Sequence, residues 1–134
     1  MTNMIRDIAD MYEKYGFDIS HLDGEQLYKF VEWRADFVRE ELYELYDAID
    51  QRNPEEVCDA LIDIIVVALG TLDLLKIDTA AAWSEVLRAN LEKRVGIKDS
   101  RPNEFGFPDL VKHEEWKGPD HSGNHGLLSR ELGV

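Results

Sequence analysis

Residues 57–75 constrain this chain more than any other stretch: on a helical wheel they are apolar on every side, yet Asp59 and Asp63 fall inside the apolar run. A helix that is apolar all round needs cover from neighbouring helices or from another subunit. Aspartate has poor helix propensity and is almost never fully buried without a partner. Asp59 and Asp63 are one turn apart and share a stripe, so two carboxylates enter a packing surface together and must be compensated there. The longest clean apolar stretch, residues 64–72, is far below the ~20 residues a membrane span requires.

Helical periodicity extends to both sides of this segment. Met4, Ile5, Ile8, Met11, Tyr12 and Tyr15 recur at helical spacing and Gly16 follows as a stop. A longer second helix is expected from near Asp23 to about Ile49, with Leu27, Val31, Val38, Leu42, Leu45 and Ile49 along one side. Asn53-Pro54-Glu55-Glu56 opens the third, with Asn as N-cap and Pro at the first helical position. Asp78 caps a fourth helix, expected from Thr79 to about Arg94 and ended by Gly96. No alternating strand pattern competes with these four.

From Gly96 the composition shifts: Gly and Pro cluster and three of the four His appear. The expectation is an all-α fold with a four-helix bundle-like core over residues 1–95 and a loop-rich tail over residues 96–134, with a short helical piece near residues 110–116.

On the wheel of the second helix the apolar arc holds Leu27, Phe30, Val31, Phe37, Val38, Leu42, Leu45 and Ile49, and Glu41 and Arg34 fall inside it. Glu40 and Glu44 lie at its edge, in line with Asp36 and Asp47, for which an ordinary solvated face is the simpler reading. A carboxylate held in an apolar contact surface costs several kcal/mol unless a cation or good donors compensate. Arg34 is one candidate partner for Glu41, although seven residues give a strained geometry compared with an i, i+4 pair.

Two helices that each present acids from a buried seam make an all-oxygen pocket, which must hold hard cations or protonate. Mg²⁺ suits such a pocket, because a few carboxylates hold it while waters and substrate phosphates complete its octahedron. A di-iron bundle would need Glu-x-x-His on two helices, and none of the four expected helices contains His. Asn90 is a polar group on the packing seam of the fourth helix, with Lys93 one turn later.

The charge balance narrows the partners. Twenty-eight acids against fifteen Lys and Arg give −13, which opposes a phosphate backbone and argues against nucleic acid. Cys58 is the single cysteine and cannot form an internal disulfide, so a reducing, cytoplasmic setting is expected, with Cys58 packed in the core. No secretory signal is visible at the amino terminus, and a soluble protein without membrane contact is expected.

Taken in order, these segments resemble the all-α nucleoside triphosphate pyrophosphohydrolases, the group of MazG-like proteins, dimeric dUTPases and phosphoribosyl-ATP pyrophosphohydrolases. The resemblance spans roughly residues 30–94. Glu40-Glu41-Leu42-Tyr43-Glu44 matches the first motif, Glu-Glu-x-x-Glu. The second, Glu-x-x-Asp opening a buried helix, is matched most closely at Asp59-Ala60-Leu61-Ile62-Asp63, with Ala60 where the family commonly has Glu. Glu56-Val57-Cys58-Asp59 satisfies the motif literally but sits farther from Ile77-Asp78, which leaves Glu56 as a weaker candidate. Ala89-Asn90-Leu91-Glu92-Lys93 looks like the family's Asn-x-x-Lys segment, and Lys117-Gly118-Pro119 like a nucleotide-side loop.

The resemblance implies an enzyme that converts a nucleoside triphosphate to the monophosphate and pyrophosphate, in nucleotide-pool house-cleaning. It implies two or more Mg²⁺ ions, with Mn²⁺ as a substitute, held by Glu41, Glu44, Asp59 and Asp63. Glu40, Glu41 and Glu44 would be catalytic, with Glu40 or Glu44 taking the proton of the attacking water. Lys93 and Lys117 would meet the remaining phosphate charge and Asn90 the sugar or phosphate. Base selectivity is expected from Phe30, Trp33 and Phe37. The apolar third helix predicts a homodimer or a dimer of dimers. Two rival readings stay open: phosphoribosyl-ATP hydrolysis, and a helical regulatory or assembly module without turnover.

Overall fold

Local capping rules set the helix boundaries. In the computed structural model, which describes residues 2–101, 104–105 and 108–132, the chain forms α1 (Met4–Tyr15), α2 (Gly24–Asp50), α3 (Pro54–Leu74) and α4 (Thr79–Leu91). Asn3 caps α1 and Gly16 ends it in the left-handed conformation. Asp23 opens α2 with a reciprocal capping box to Gln26. Asn53 accepts from the Glu56 amide at the start of α3, with Pro54 inside the first turn. The all-α class expected from periodicity is the one observed.

Two compact units make up the chain, Met1–Thr79 with Gly123–Val134, and Ala80–Ser122. In the first, α3 packs on α2 and α1, and Ile8, Tyr12, Ile19, Leu27, Leu74, Leu75 and Leu127 form the core, with Leu27 fully buried. Leu127 arrives through a short 3₁₀ turn (Gly126–Leu128) that precedes α5 (Ser129–Leu132). This segment is tied to the end of α3: the Leu127 amide donates to Leu75 O at 2.7 Å, and Asn124 exchanges two hydrogen bonds with the Asp78 backbone. Arg130 reaches Ser20 O at 2.7 Å and Leu22 O at 3.0 Å.

Gly126 is required at this docking point, since its φ is +54° and a Cβ there would overlap Leu75 O and come within 2.8 Å of Lys76 C. Gly126→Ala is expected to lower the unfolding free energy by about 2 kcal/mol, measured by urea denaturation. An unchanged midpoint would mean that the segment does not depend on this approach.

The second unit holds most of α4 and a two-stranded antiparallel sheet, β1 (Arg94–Gly96) with β2 (Asp109–Val111), in the register Arg94↔Val111, Val95↔Leu110, Gly96↔Asp109. The short helix expected near residues 110–116 is therefore not formed, its span holding the end of β2 and a turn at residues 114–115, and the fourth helix stops at Leu91 rather than near Arg94, which begins β1. Three residues per strand are too few to show alternation in sequence, and the pairing is made with a segment about fifteen residues away. Gly96 allows the strands to close, because a Cβ there would lie 2.8 Å from Val111 Cγ2. Arg101 braces β2 through a fork on Asp109, with Nη2–Oδ2 at 2.7 Å and Nε–Oδ2 at 3.1 Å.

Cys58 is exposed rather than in the core. It lies in an open apolar cleft with Ile49, Arg52, Pro54, Val57 and Leu61 where α2 turns into α3. α3 carries more apolar surface than α1 and α2 cover, and Leu61, Ile62 and Ile65 remain 48, 51 and 40 % exposed. No helix among the described residues is long and apolar enough to cross a membrane.

Candidate active site

Of the acids singled out in sequence, Glu41 on α2 and Asp63 on α3 are half-buried where the two helices pack, and each lies within electrostatic reach of Glu44. Glu41 is half-buried, and its Oε2 is a buried oxygen with no hydrogen-bond partner among the described residues. Burial pushes the Glu41 carboxyl up to about 7, with Glu44, Asp63 and Glu40 adding to the rise. Asp63 is half-buried on α3 and is raised by burial first, then by the negative charges of Asp59 and Glu44. Glu40, Glu44 and Asp59 are exposed. The interactions that raise the two carboxyls thus run across the helix pair and along α3 to Asp59. Glu56, in the first turn of α3, takes no part in them.

Arg34 does not neutralise Glu41. The guanidinium is buried and its donors go elsewhere: Nε to Thr71 Oγ1 at 2.9 Å, Nη2 to Tyr12 Oη at 2.8 Å and to Val67 O at 3.1 Å. The Tyr12 and Phe37 rings flank it at 5.9 and 5.5 Å. These partners lie 22 to 37 residues away in sequence, beyond the reach of a wheel, although the apolar arc places Arg34 among buried positions.

An acidic seam with an orphaned inner oxygen and no His suits a hard cation. The side chains as they stand are not drawn into a ligating group: among the described residues no three His, Cys, Asp or Glu are close enough to hold an ion. The seam also makes the metal-free protein pH-sensitive. Glu41 binds its proton more tightly when folded than at the ordinary value of 4.5, so its contribution to stability is fully present below 4.5 and is lost as pH rises through about 7. The metal-free protein should therefore melt higher at pH 5.5 than at pH 8, and Glu41→Gln should shrink that difference. Parallel thermal scans of the two proteins at both pH values check this.

One to three turns before Glu41 on α2, the aromatic side chains form a cleft of about 350 Å³ lined by Phe17, Asp18, Ile19, Phe30, Trp33, Arg34, Phe37 and Leu74. Trp33 lies 4.4 Å from Phe37 and 6.0 Å from Phe30, ring centre to ring centre, and remains 53 % exposed. The hydroxyl and backbone amide of Ser20 both donate to Asp18 and hold its carboxyl below the usual range.

The remaining candidates belong to the second unit. Asn90 is exposed rather than on a packing seam, and Lys117 is exposed. Lys93 is half-buried, with its ammonium 5.4 Å from the centre of the Trp116 ring. Trp116 was not singled out by motif. Its signal was a large aromatic residue in a polar, Gly- and Pro-rich tail.

The sequence model described as phosphoribosyl-ATP pyrophosphohydrolase matches residues 23–90, a span that contains α2, α3 and every acid of the seam. No curated protein matches the chain.

Proposed function

We propose a hydrolytic role from one premise: the chain belongs to the phosphoribosyl-ATP pyrophosphohydrolase family, within the all-α nucleoside triphosphate pyrophosphatase superfamily. Its function is of the nucleotide pyrophosphohydrolase type, acting on a phosphoanhydride bond. The finer reading is cleavage of a ribo- or deoxyribonucleoside triphosphate between the α- and β-phosphates, releasing the monophosphate and pyrophosphate. The observation that carries it is the buried Glu41 Oε2, without a hydrogen-bond partner among the described residues, on a carboxyl raised by burial and by Glu44 and Asp63, with an aromatic cleft lined by earlier residues of the same helix.

Glu41, Glu44, Asp59 and Asp63 would hold Mg²⁺. Held there, the ions would offset the charge of the phosphate oxygens and make a water easier to deprotonate. Glu40, exposed beside this set, accepts the proton that the attacking water loses; Glu44 is the alternative acceptor. Trp33, Phe37 and Phe30 stack on the base, and their distance along α2 from the acids orients the nucleotide with its phosphates toward Glu41. Asn90, Lys93 and Lys117 are assigned to sugar and phosphate on their chemistry. A second copy of the chain is the proposed cover for Leu61, Ile62 and Ile65.

Phosphoribosyl-ATP itself is the second reading, favoured by the matched family. A panel of ribo- and deoxyribonucleoside triphosphates together with phosphoribosyl-ATP, with Mg²⁺ and with pyrophosphate and orthophosphate measured separately, separates the two. Pyrophosphate as first product supports cleavage between the α- and β-phosphates, and orthophosphate alone contradicts it. A preference of at least tenfold in kcat/KM for phosphoribosyl-ATP moves the assignment to the second reading.

A further inference from the structure

Trp116 is fixed more firmly than an exposed tail requires. Its indole Nε1 donates to Ala89 O at 2.7 Å, its amide donates to His113 O at 3.0 Å, and His113 Nε2 lies 3.0 Å from Glu92 O. Against this ring stand two ammonium groups, Lys93 at 5.4 Å and Lys112 at 5.0 Å from the ring centre. The strand register explains the meeting. Arg94 pairs with Val111, so Lys93 and Lys112 are the next cross-strand neighbours beyond the end of the ladder.

Their shared distance to one ring keeps the two charges within about 10 Å of each other. Like charges placed opposite one another are unfavourable. Neither ammonium makes an ion pair or a hydrogen bond to a protein group among the described residues, in a chain with 28 acids against 15 Lys and Arg. Arg88, on the same unit, shows the contrast: it is satisfied by Glu85, Glu92 and Gly118 O. Two cations gathered at one aromatic ring by neighbouring strand positions, with no anionic partner among the described residues, have the chemistry to take a compact polyanion.

We propose that Lys93 and Lys112, held by Trp116 as a positioning residue, form a two-lysine cradle for a pyrophosphate group. That group belongs either to the β,γ-end of a nucleoside triphosphate or to released inorganic pyrophosphate. The inference deepens the function proposed above by adding Lys112 and Trp116 to the phosphate-contacting groups, and it rests on that reading for the ligand's origin.

Inorganic pyrophosphate titrated into the full chain without divalent ion, followed at the indole N–H signals by NMR, tests the cradle apart from turnover. The Trp116 signal, assigned by its loss in Trp116→Phe, is expected to shift. Lys112→Ala should weaken pyrophosphate binding about tenfold, Lys112→Arg should retain it, and Trp116→Ala should weaken it with both lysines present. Orthophosphate should bind at least tenfold more weakly than pyrophosphate. In turnover assays, a rise in KM for Lys112→Ala at unchanged kcat points to the substrate's phosphates. Unchanged KM with weaker product inhibition by pyrophosphate points to the released product. Pyrophosphate affinity unaffected in both Lys112→Ala and Trp116→Ala, with native circular dichroism, overturns the cradle. Loss of hydrolysis with pyrophosphate binding intact in the wild type would count against the hydrolytic reading alone.

Discussion

Glu41→Gln is expected to lower nucleotide hydrolysis by at least about 10³-fold while raising the thermal midpoint of the metal-free protein at pH 8 by a few degrees. The two effects have opposite signs because one carboxylate does both things. Its inner oxygen has no hydrogen-bond partner among the described residues, and burial together with Glu44, Asp63 and Glu40 pushes the carboxyl up to about 7. Without a cation, ionised Glu41 opposes the fold at pH 8, and the neutral amide removes that repulsion at nearly constant shape. In the proposed cation site the same negative charge would hold the ion, so its loss would cost turnover. A structural acid would show the reverse: retained turnover, or a fall in the midpoint.

Arg34→Ala is expected to cost about 3 kcal/mol of stability, seen as a lower urea midpoint. The guanidinium joins three helices through Tyr12 on α1 and Thr71 and Val67 O on α3, and it lies between two aromatic rings. Gly70 makes room for this arrangement, since a Cβ there would overlap the Tyr12 hydroxyl and come within 2.8 Å of Arg34 Nη2. Truncation leaves a cavity and strands the hydroxyl of Tyr12. Arg34→Lys should recover only a small part, because one ammonium cannot replace a planar fork with bonds in two directions. A loss below about 1 kcal/mol would place Arg34 among ordinary surface residues.

Much of this molecule was legible because its boundaries are set locally. The Asn53-Pro54 start of α3, the onset of α2 at Asp23 and the Gly16 stop each depend on a residue's own backbone preferences and one nearby hydrogen bond, and all three stand in the structure. Glu41 and Asp63 were legible for another reason: carboxylates inside an apolar stripe conflict with their surroundings wherever the helices come to rest. Their meeting across α2 and α3 needed only that the two stripes face each other.

What was hidden depends on distant pairing. The β1–β2 ladder is too short to leave a period, and the hydrogen bonds of Arg34 and Trp116 reach across 22 to 37 residues. Cys58 was expected in the core on its usual preference, but that preference does not say which side of an all-apolar helix the chain's own helices will cover.

Calorimetric titration of Mn²⁺ into the wild-type protein and into Glu41→Gln/Asp63→Asn decides most directly whether the α2–α3 seam is a cation site. Saturable binding by the wild type, reduced at least tenfold in the double variant while its circular dichroism stays native, is the expected result. Equal binding by the two proteins, or no binding by the wild type even with a non-hydrolysable nucleotide present, would contradict it.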